Sequence, residues 1–263
     1  MMLELTGDVR VHDTLDELYD NLARRLMAAA IDAVEQRDVF HLALSGGSTP
    51  EKFYMHLVID PRYRNIPWKQ THIWIVDERR VPEDDDRYNF RMIRESLTEH
   101  APFRQRNLHP VPVLDEDPAT AYEQQLCGAF GLAEQRPGAE PRIDFTILGM
   151  GDDTHTASLF PESKAIDENA RWVAVNDGPA VTPPDRVTMT FPLINASRQI
   201  AVLVTGKKKV DALRRVDQQL SSAGPDPRIM PITGIDPAAN ELNGSLTWYL
   251  DVDACGLPSQ LPE

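Results

Sequence analysis

Apolar runs of about six residues recur along this chain, and each breaks off into a turn crowded with glycine, hydroxyl or charged side chains. Residues 39–44 (VFHLAL) end at Ser45-Gly46-Gly47-Ser48-Thr49, residues 71–76 (THIWIV) at Asp77-Glu78-Arg79-Arg80, and residues 143–148 (IDFTIL) at Gly149-Met150-Gly151. Apolar runs this short, bounded by turn residues, are the pattern of buried strands. The stretches between them carry helical spacing. Strands alternating with helices require a mainly parallel sheet covered on both faces, an α/β fold. In such a sheet the ligand crevice opens at the carboxyl ends of the strands. The three polar turns sit at such ends, so they are expected to converge on one crevice.

The first helix is announced by Thr14-Leu15-Asp16-Glu17, a capping box. Leu15, Leu18, Tyr19, Leu22, Leu26 and Ala30 follow on one face, and the helix is predicted to end near Gln36. Further helices are predicted over residues 51–59, 88–98, 119–130 and 207–220, with a short one in or near 157–160. Ser48 or Thr49 suits the cap of the second helix and Pro50 its first position. Further strands are predicted over residues 172–175, 187–191, 200–204 and 246–252. The whole chain, 1–263, reads as a single α/β domain, with residues 1–37 as an N-terminal helix packed on it and 221–245 as an irregular loop region.

Lys plus Arg number 27 and Asp plus Glu 41, a formal charge of −14. Nucleic acids and anionic membranes both require a positive field, so neither is expected as a partner. A phosphorylated ligand would need a local basic pocket. The two cysteines, Cys127 and Cys255, have neither metal-ligand spacing nor the numbers of a disulfide framework. A reducing cytoplasm is the expected compartment. Residues 1–12 lack a basic-then-apolar leader pattern, and no apolar run approaches the roughly 20 residues of a membrane span. Asp84-Asp85-Asp86 reads as a solvated acidic loop, and no metal or cofactor is expected.

Each turn admits two readings. Gly46, Gly47, Ser48 and Thr49 either make a tight turn before a capped helix or cradle an anion on unpaired N–H groups at a helix start. The turn is neither a Walker A loop nor a GxGxxG fingerprint. Asp77 and Arg79 form either a surface charge cluster or a grip on a phosphate or carbonyl, with Asp77 orienting the arginine or sugar hydroxyls. In Gly149-Met150-Gly151-Asp152-Asp153-Thr154-His155, the imidazole is either structural or a base whose tautomer Asp153 holds. The two glycines there would let the backbone approach a ligand. Arg186 precedes an alternating run, and Lys207-Lys208-Lys209 opens a helix, where cations meet an unfavourable dipole. At least one of those lysines is therefore expected to have an anionic partner.

Taken together, these segments resemble the 6-phosphogluconolactonase family. The match is carried by Leu44 through Pro50, by Trp74-Ile75-Val76-Asp77-Glu78-Arg79, and most specifically by Gly149-Met150-Gly151 with His155-Thr156-Ala157-Ser158-Leu159-Phe160-Pro161. Arg186 through Thr190 and Gly206 through Lys209 extend it, in family order, over about residues 40–252. The resemblance implies a Rossmann-like three-layer α/β/α sandwich similar to the glucosamine-6-phosphate deaminase/ribose-5-phosphate isomerase superfamily. It implies a phosphorylated sugar lactone as ligand and a place in the pentose phosphate pathway. The family's general base falls on His155, its phosphate turn on Gly46 to Thr49, its loop arginine on Arg79 and its later basic positions on Arg186 and Lys209. The expected protein is a monomer or a small homo-oligomer. Two departures stand out. Thr154 occupies the middle of a usual Asp-Gly-His, where a left-handed φ would strain a β-branched residue. Glu162 follows the Phe-Pro pair where glycine is common. Two alternatives stay open: an amino-sugar-phosphate deaminase, whose extra carboxylate is missing from residues 156–161, and a non-catalytic sugar-phosphate-binding protein.

Overall fold

The computed structural model describes residues 3–133, 140–178, 181–239 and 242–258. Residues 1–2 and 240–241, which fall within the expected N-terminal and irregular segments, lie outside the described residues. The chain opens with a strand that hydrophobic patterning does not signal, β1 (Asp8–His12). It leads into α1 (Leu15–Arg37), where the Thr14 side chain accepts the backbone N–H of Glu17, and which stops at Asp38 in left-handed conformation (φ 58°). Leu18, Leu22, Leu26 and Ala30 are fully buried, whereas Leu15, in the first turn, is 37% exposed.

The next units follow the alternation. β2 (Phe40–Leu44) is buried at every residue, the mark of a central parallel strand. α2 (Ser48–Ile59) starts three residues earlier than predicted. The expected hydroxyl cap is absent, because Gly47 occupies the cap position at φ 108°, a conformation that only glycine enters freely. β3 (Thr71–Ile75) follows. One residue later the backbone enters β4 (Asp77–Arg79), where a charged turn was expected. α3 (Asn89–Ile93) covers only the first half of the predicted helix and runs on into a π-helical turn, Arg94–Thr98. β5 (Leu108–His109), α4 (Pro118–Phe130) and β6 (Phe145–Leu148) complete this half.

The second half contains β7 (Val173–Asp177), β8 (Asp185–Met189), α5 (Phe191–Asn195), β9 (Gln199–Val204), α6 (Val210–Ser222), β10 (Ser245–Asp251) and α7 (Val252–Cys255). The short helix expected near residues 157–160 does not form. Ala157 sits at φ 52°, the Ser158 N–H is taken by Thr188 Oγ1, and Thr156 bridges Leu159 as extended backbone.

Seven strands form one sheet in the order β1-β10-β9-β6-β2-β3-β5. Every pairing in it is parallel, so the expected mainly parallel α/β architecture is what forms. The predicted strands over 172–175 and 187–191 do not join it. With β4 they build a separate antiparallel sheet, β4-β8-β7. Val76 joins the two sheets: its N–H donates to Leu44 O, and its carbonyl accepts from Met189 N–H. The strand order reverses between β2 and β6. From there β3 and β5 run to one side, and β9 and β10 to the other. That reversal is where an open parallel sheet leaves a crevice at its carboxyl edge.

Candidate active site

A cleft of about 280 Å³ opens at that reversal point. It lies near the lower end of the roughly 300–1,000 Å³ of small-molecule sites, the scale of a compact polar ligand. The turn after β2 supplies Gly46, Gly47, Ser48 and Thr49, β4 supplies Asp77 and Arg79, and the turn after β6 supplies Gly149, Gly151 and His155. Thr205 and Lys209, beyond β9, close the wall. The three turns singled out in the sequence thus meet on one surface.

His155 and Asp153 form a dyad. The Nδ1–H of His155 donates to Asp153 Oδ1 at 2.5 Å, and the His155 backbone N–H donates to the same oxygen at 3.1 Å. A carboxylate on Nδ1 leaves Nε2 as the basic nitrogen. Burial by itself raises the Asp153 carboxyl, but the hydrogen bonds and charge of His155 outweigh it and hold Asp153 below its usual range. The Phe160 ring packs against the imidazole with centroids 4.8 Å apart.

Gly151 serves a purpose other than the expected approach to a ligand. A Cβ there would lie 2.2 Å from His155 Nδ1 and 2.6 Å from Asp153 Oδ1, so the missing side chain makes room for the dyad itself. A Cβ at Gly149 would meet nothing within 4 Å. Thr154, between the two partners, is fully buried at φ 71°, the strained conformation anticipated at this position. Glu162 likewise has φ 58°.

On β4, Asp77 is buried and its Oδ2 accepts from Ser158 Oγ at 2.7 Å, tying the small sheet to the histidine loop. The neighbouring Glu78 is fully buried and accepts three backbone N–H groups, from Arg79, Asn89 and Phe90, at 2.8, 2.7 and 2.8 Å. Burial pushes its carboxyl up to about 8 against the pull of those donors. Arg79 reaches the cleft while its Nη1 donates to Arg87 O at 2.6 Å.

Lys209 projects into the cleft, and its Nζ pairs with Asp152 Oδ1 at 2.6 Å. This is the anionic partner that the helix-start lysines called for. Arg186 departs from expectation. It faces Arg79 across the β4–β8 pairing but does not line the cleft. Its guanidinium is buried and donates to the carbonyls of Pro183 and Asp185. Burial and then the charge of Arg79 lower its pKa.

Sequence patterning missed Asn89, Ser158 and Thr205. Asn89 and Thr205 line the cleft, and Ser158 holds Asp77. Asn89 and Thr205 lie in no motif whose local spacing signals a role, and Ser158, though inside the segment that resembles the family, carries no local signal of its bond to Asp77. Among the described residues, the one group of three potential metal ligands is Asp20, His56 and Asp60. It lies outside the cleft, and Arg62 bridges its two carboxylates.

A family model described as glucosamine-6-phosphate isomerases/6-phosphogluconolactonase matches residues 13–248. The chain is 33% identical over 264 residues to a 6-phosphogluconolactonase of Mycobacterium tuberculosis, covering 97% of this chain and 100% of the relative. It is 36% identical over 239 residues to the human GDH/6PGL endoplasmic bifunctional protein, covering 91% of this chain but only 29% of that much longer protein. The crystal structure of 6-phosphogluconolactonase from Leishmania guyanensis superposes with a TM-score of 0.77 at 30% identity, covering 95% of this chain and 98% of that one. Among the described residues, no helix is long and apolar enough to cross a membrane. A match that runs through every turn lining the cleft, and through nearly all of the chain, places this protein in the glucosamine-6-phosphate isomerase/6-phosphogluconolactonase family.

Proposed function

We propose that this protein hydrolyses 6-phospho-D-glucono-1,5-lactone to 6-phospho-D-gluconate, a step of the pentose phosphate pathway. The observation that carries the reading is the His155–Asp153 dyad on a cleft that Lys209 and the Gly46–Thr49 turn also line. The relatives named 6-phosphogluconolactonase support the same substrate.

The phosphate sits on the N–H and hydroxyl groups of the turn before α2, beside Lys209. His155 Nε2 removes a proton from water, whose oxygen attacks the lactone carbonyl carbon. The developing oxyanion is stabilised by Arg79 or by backbone N–H groups. As the intermediate collapses, the bond from the carbonyl carbon to the ring oxygen breaks. His155 then returns its proton to that oxygen, which leaves as the C5 hydroxyl, and the new carboxylic acid ionises. Asp153 keeps the imidazole in the working tautomer and stabilises its charged form.

We also read residues 1–263 as one domain, supported by a hydrophobic cluster that includes Leu18 of α1, Phe40 and Val187 of the two sheets, and Ile232. A cytoplasmic setting is supported by the free thiols of Cys127 and Cys255. A monomer or small homo-oligomer remains the expected state.

The test is a pH-stat or coupled assay on freshly generated lactone, with the spontaneous rate subtracted. The wild-type protein accelerates hydrolysis, and folded His155→Ala loses about 10²- to 10⁴-fold in kcat, the usual share of a general base. Near-wild-type turnover by that variant refutes the mechanism. Ammonia release from glucosamine 6-phosphate, or binding of 6-phosphogluconate with no lactone turnover, refutes the assignment.

A further inference from the structure

Asn89 begins α3 and is 3% exposed, yet it forms part of the cleft wall. Its backbone N–H donates to Glu78 Oε1 at 2.7 Å, and its side-chain Nδ2 donates to the Asp77 carbonyl at 2.8 Å. A backbone carbonyl can only accept, so the amide orientation follows from chemistry: Nδ2 faces Asp77, and Oδ1 faces the opposite way. Oδ1 points at Gly46, where a Cβ would lie 1.8 Å from it. Among the described residues, Oδ1 accepts no hydrogen bond. An acceptor in a cleft wall with no protein donor is open to a donor that a ligand brings into the cleft.

The mount is rigid. Glu78 is fully buried, and its carboxyl oxygens hold the N–H groups of Arg79, Asn89 and Phe90 together. Lys209 and Arg79 supply the cleft with cations for the anionic and carbonyl ends of a ligand. Asn89 Oδ1 and the Asp77 carboxylate add acceptors to the same cleft, and on a sugar acid the matching donors are hydroxyls.

We propose that Asn89 is a specificity-determining residue whose Oδ1 accepts a hydrogen bond from one secondary hydroxyl of the lactone ring; this rests on the lactonase reading above. Gly46 is then required because any side chain there displaces the acceptor.

The experiment compares 6-phosphogluconolactone with its 2-, 3- and 4-deoxy counterparts, using the full-length wild type and Asn89→Leu. One deoxy lactone loses about 10- to 100-fold in kcat/KM with the wild type. Asn89→Leu loses a similar factor on the parent lactone but changes by no more than about two-fold on that one deoxy lactone. A uniform loss across all the lactones assigns Asn89 a structural role and overturns the proposal, as does a wild type that treats them alike. If Asn89→Leu does not fold, Asn89→Ser, which withdraws the acceptor, is read against the same pattern. If the wild type turns over none of the lactones, the catalytic reading fails separately. Calorimetric binding of 6-phosphogluconate and its deoxy analogues then reads the contact directly, and equal affinities overturn it.

Discussion

Thr154 is the residue whose replacement should strengthen the fold most. It is fully buried at φ 71°, and its Oγ1 has no hydrogen-bond partner. A non-glycine residue held in the left-handed region costs about 1–3 kcal/mol, with β-branched side chains toward the upper end. A buried unpaired hydroxyl costs about 1–3 kcal/mol more. Thr154→Gly removes both. It gives back about 1 kcal/mol through glycine's greater freedom in the unfolded chain and about 0.8 kcal/mol through the lost methyl. The expected net gain is about 1–4 kcal/mol. For a chain of this size that corresponds to a rise in Tm of very roughly 2–16 °C. Guanidinium unfolding followed by tryptophan fluorescence, together with calorimetry, measures it. Two comparisons separate the terms. Thr154→Ala discards the hydroxyl but keeps the left-handed backbone, so it gains less. Glu162→Gly, at φ 58° on an exposed side chain, relieves backbone strain alone. A Thr154→Gly protein no more stable than wild type refutes this account of the loop.

Three further outcomes are expected. Acidification should destabilise the fold through histidines held neutral: burial first, then the charges of His72 and His109, brings His41 down to about 3, and burial and then His72 bring His109 down to about 4. Geometry agrees, since His41 Nδ1 accepts from Trp74 Nε1. The unfolded chain therefore binds more protons below about pH 6.5. Stability is complete above that value and falls as pH drops, with His41 alone costing about 2 kcal/mol at pH 5; equal unfolding free energies at pH 7 and pH 5 would sink this. Asp152→Asn frees Lys209 from an exposed pair worth about 0–1 kcal/mol, so KM for the lactone should fall up to about five-fold with kcat unchanged; a raised KM would show instead that Asp152 holds Lys209 in place. Gly151→Ala drives a Cβ to within 2.2 Å of His155 Nδ1, and kcat should drop about 100-fold through misplacement of the base; an unchanged kcat contradicts the packing described.

Much of the site was readable because its turns are tied to strand ends. The apolar runs locate the strands, parallel pairing aligns their carboxyl ends, and the turns converge without further information. The antiparallel sheet was not readable for a complementary reason. β4 is three polar residues separated from β3 by one valine, so it reads as a charged turn. It becomes a strand only by pairing with partners more than 100 positions away, as Arg79 does with Arg186. The same long-range pairing sets Arg186 opposite Arg79, which no local pattern reports. Asn89 was missed because it lies after an acidic loop whose composition says only that it is solvated. Thr154 shows the opposite case: one departure from a family pattern, read with knowledge of which φ values a β-branched residue resists, foretold the strain found there.

The single-residue seam at Val76 has a mechanical consequence. Arg79 is carried by the smaller sheet, three positions beyond the seam, and the loop that bears His155 is held by all three of that sheet's strands: Asp77 of β4 accepts the Ser158 hydroxyl, Thr188 of β8 accepts the Ser158 N–H, and Asn176 of β7 donates to the Ser158 carbonyl. The Gly46–Thr49 turn rides on the larger sheet. A tilt of the smaller sheet therefore carries histidine and arginine together against that turn, so packing changes far out on β7 or β8 can retune the span of the cleft while those two side chains keep their spacing.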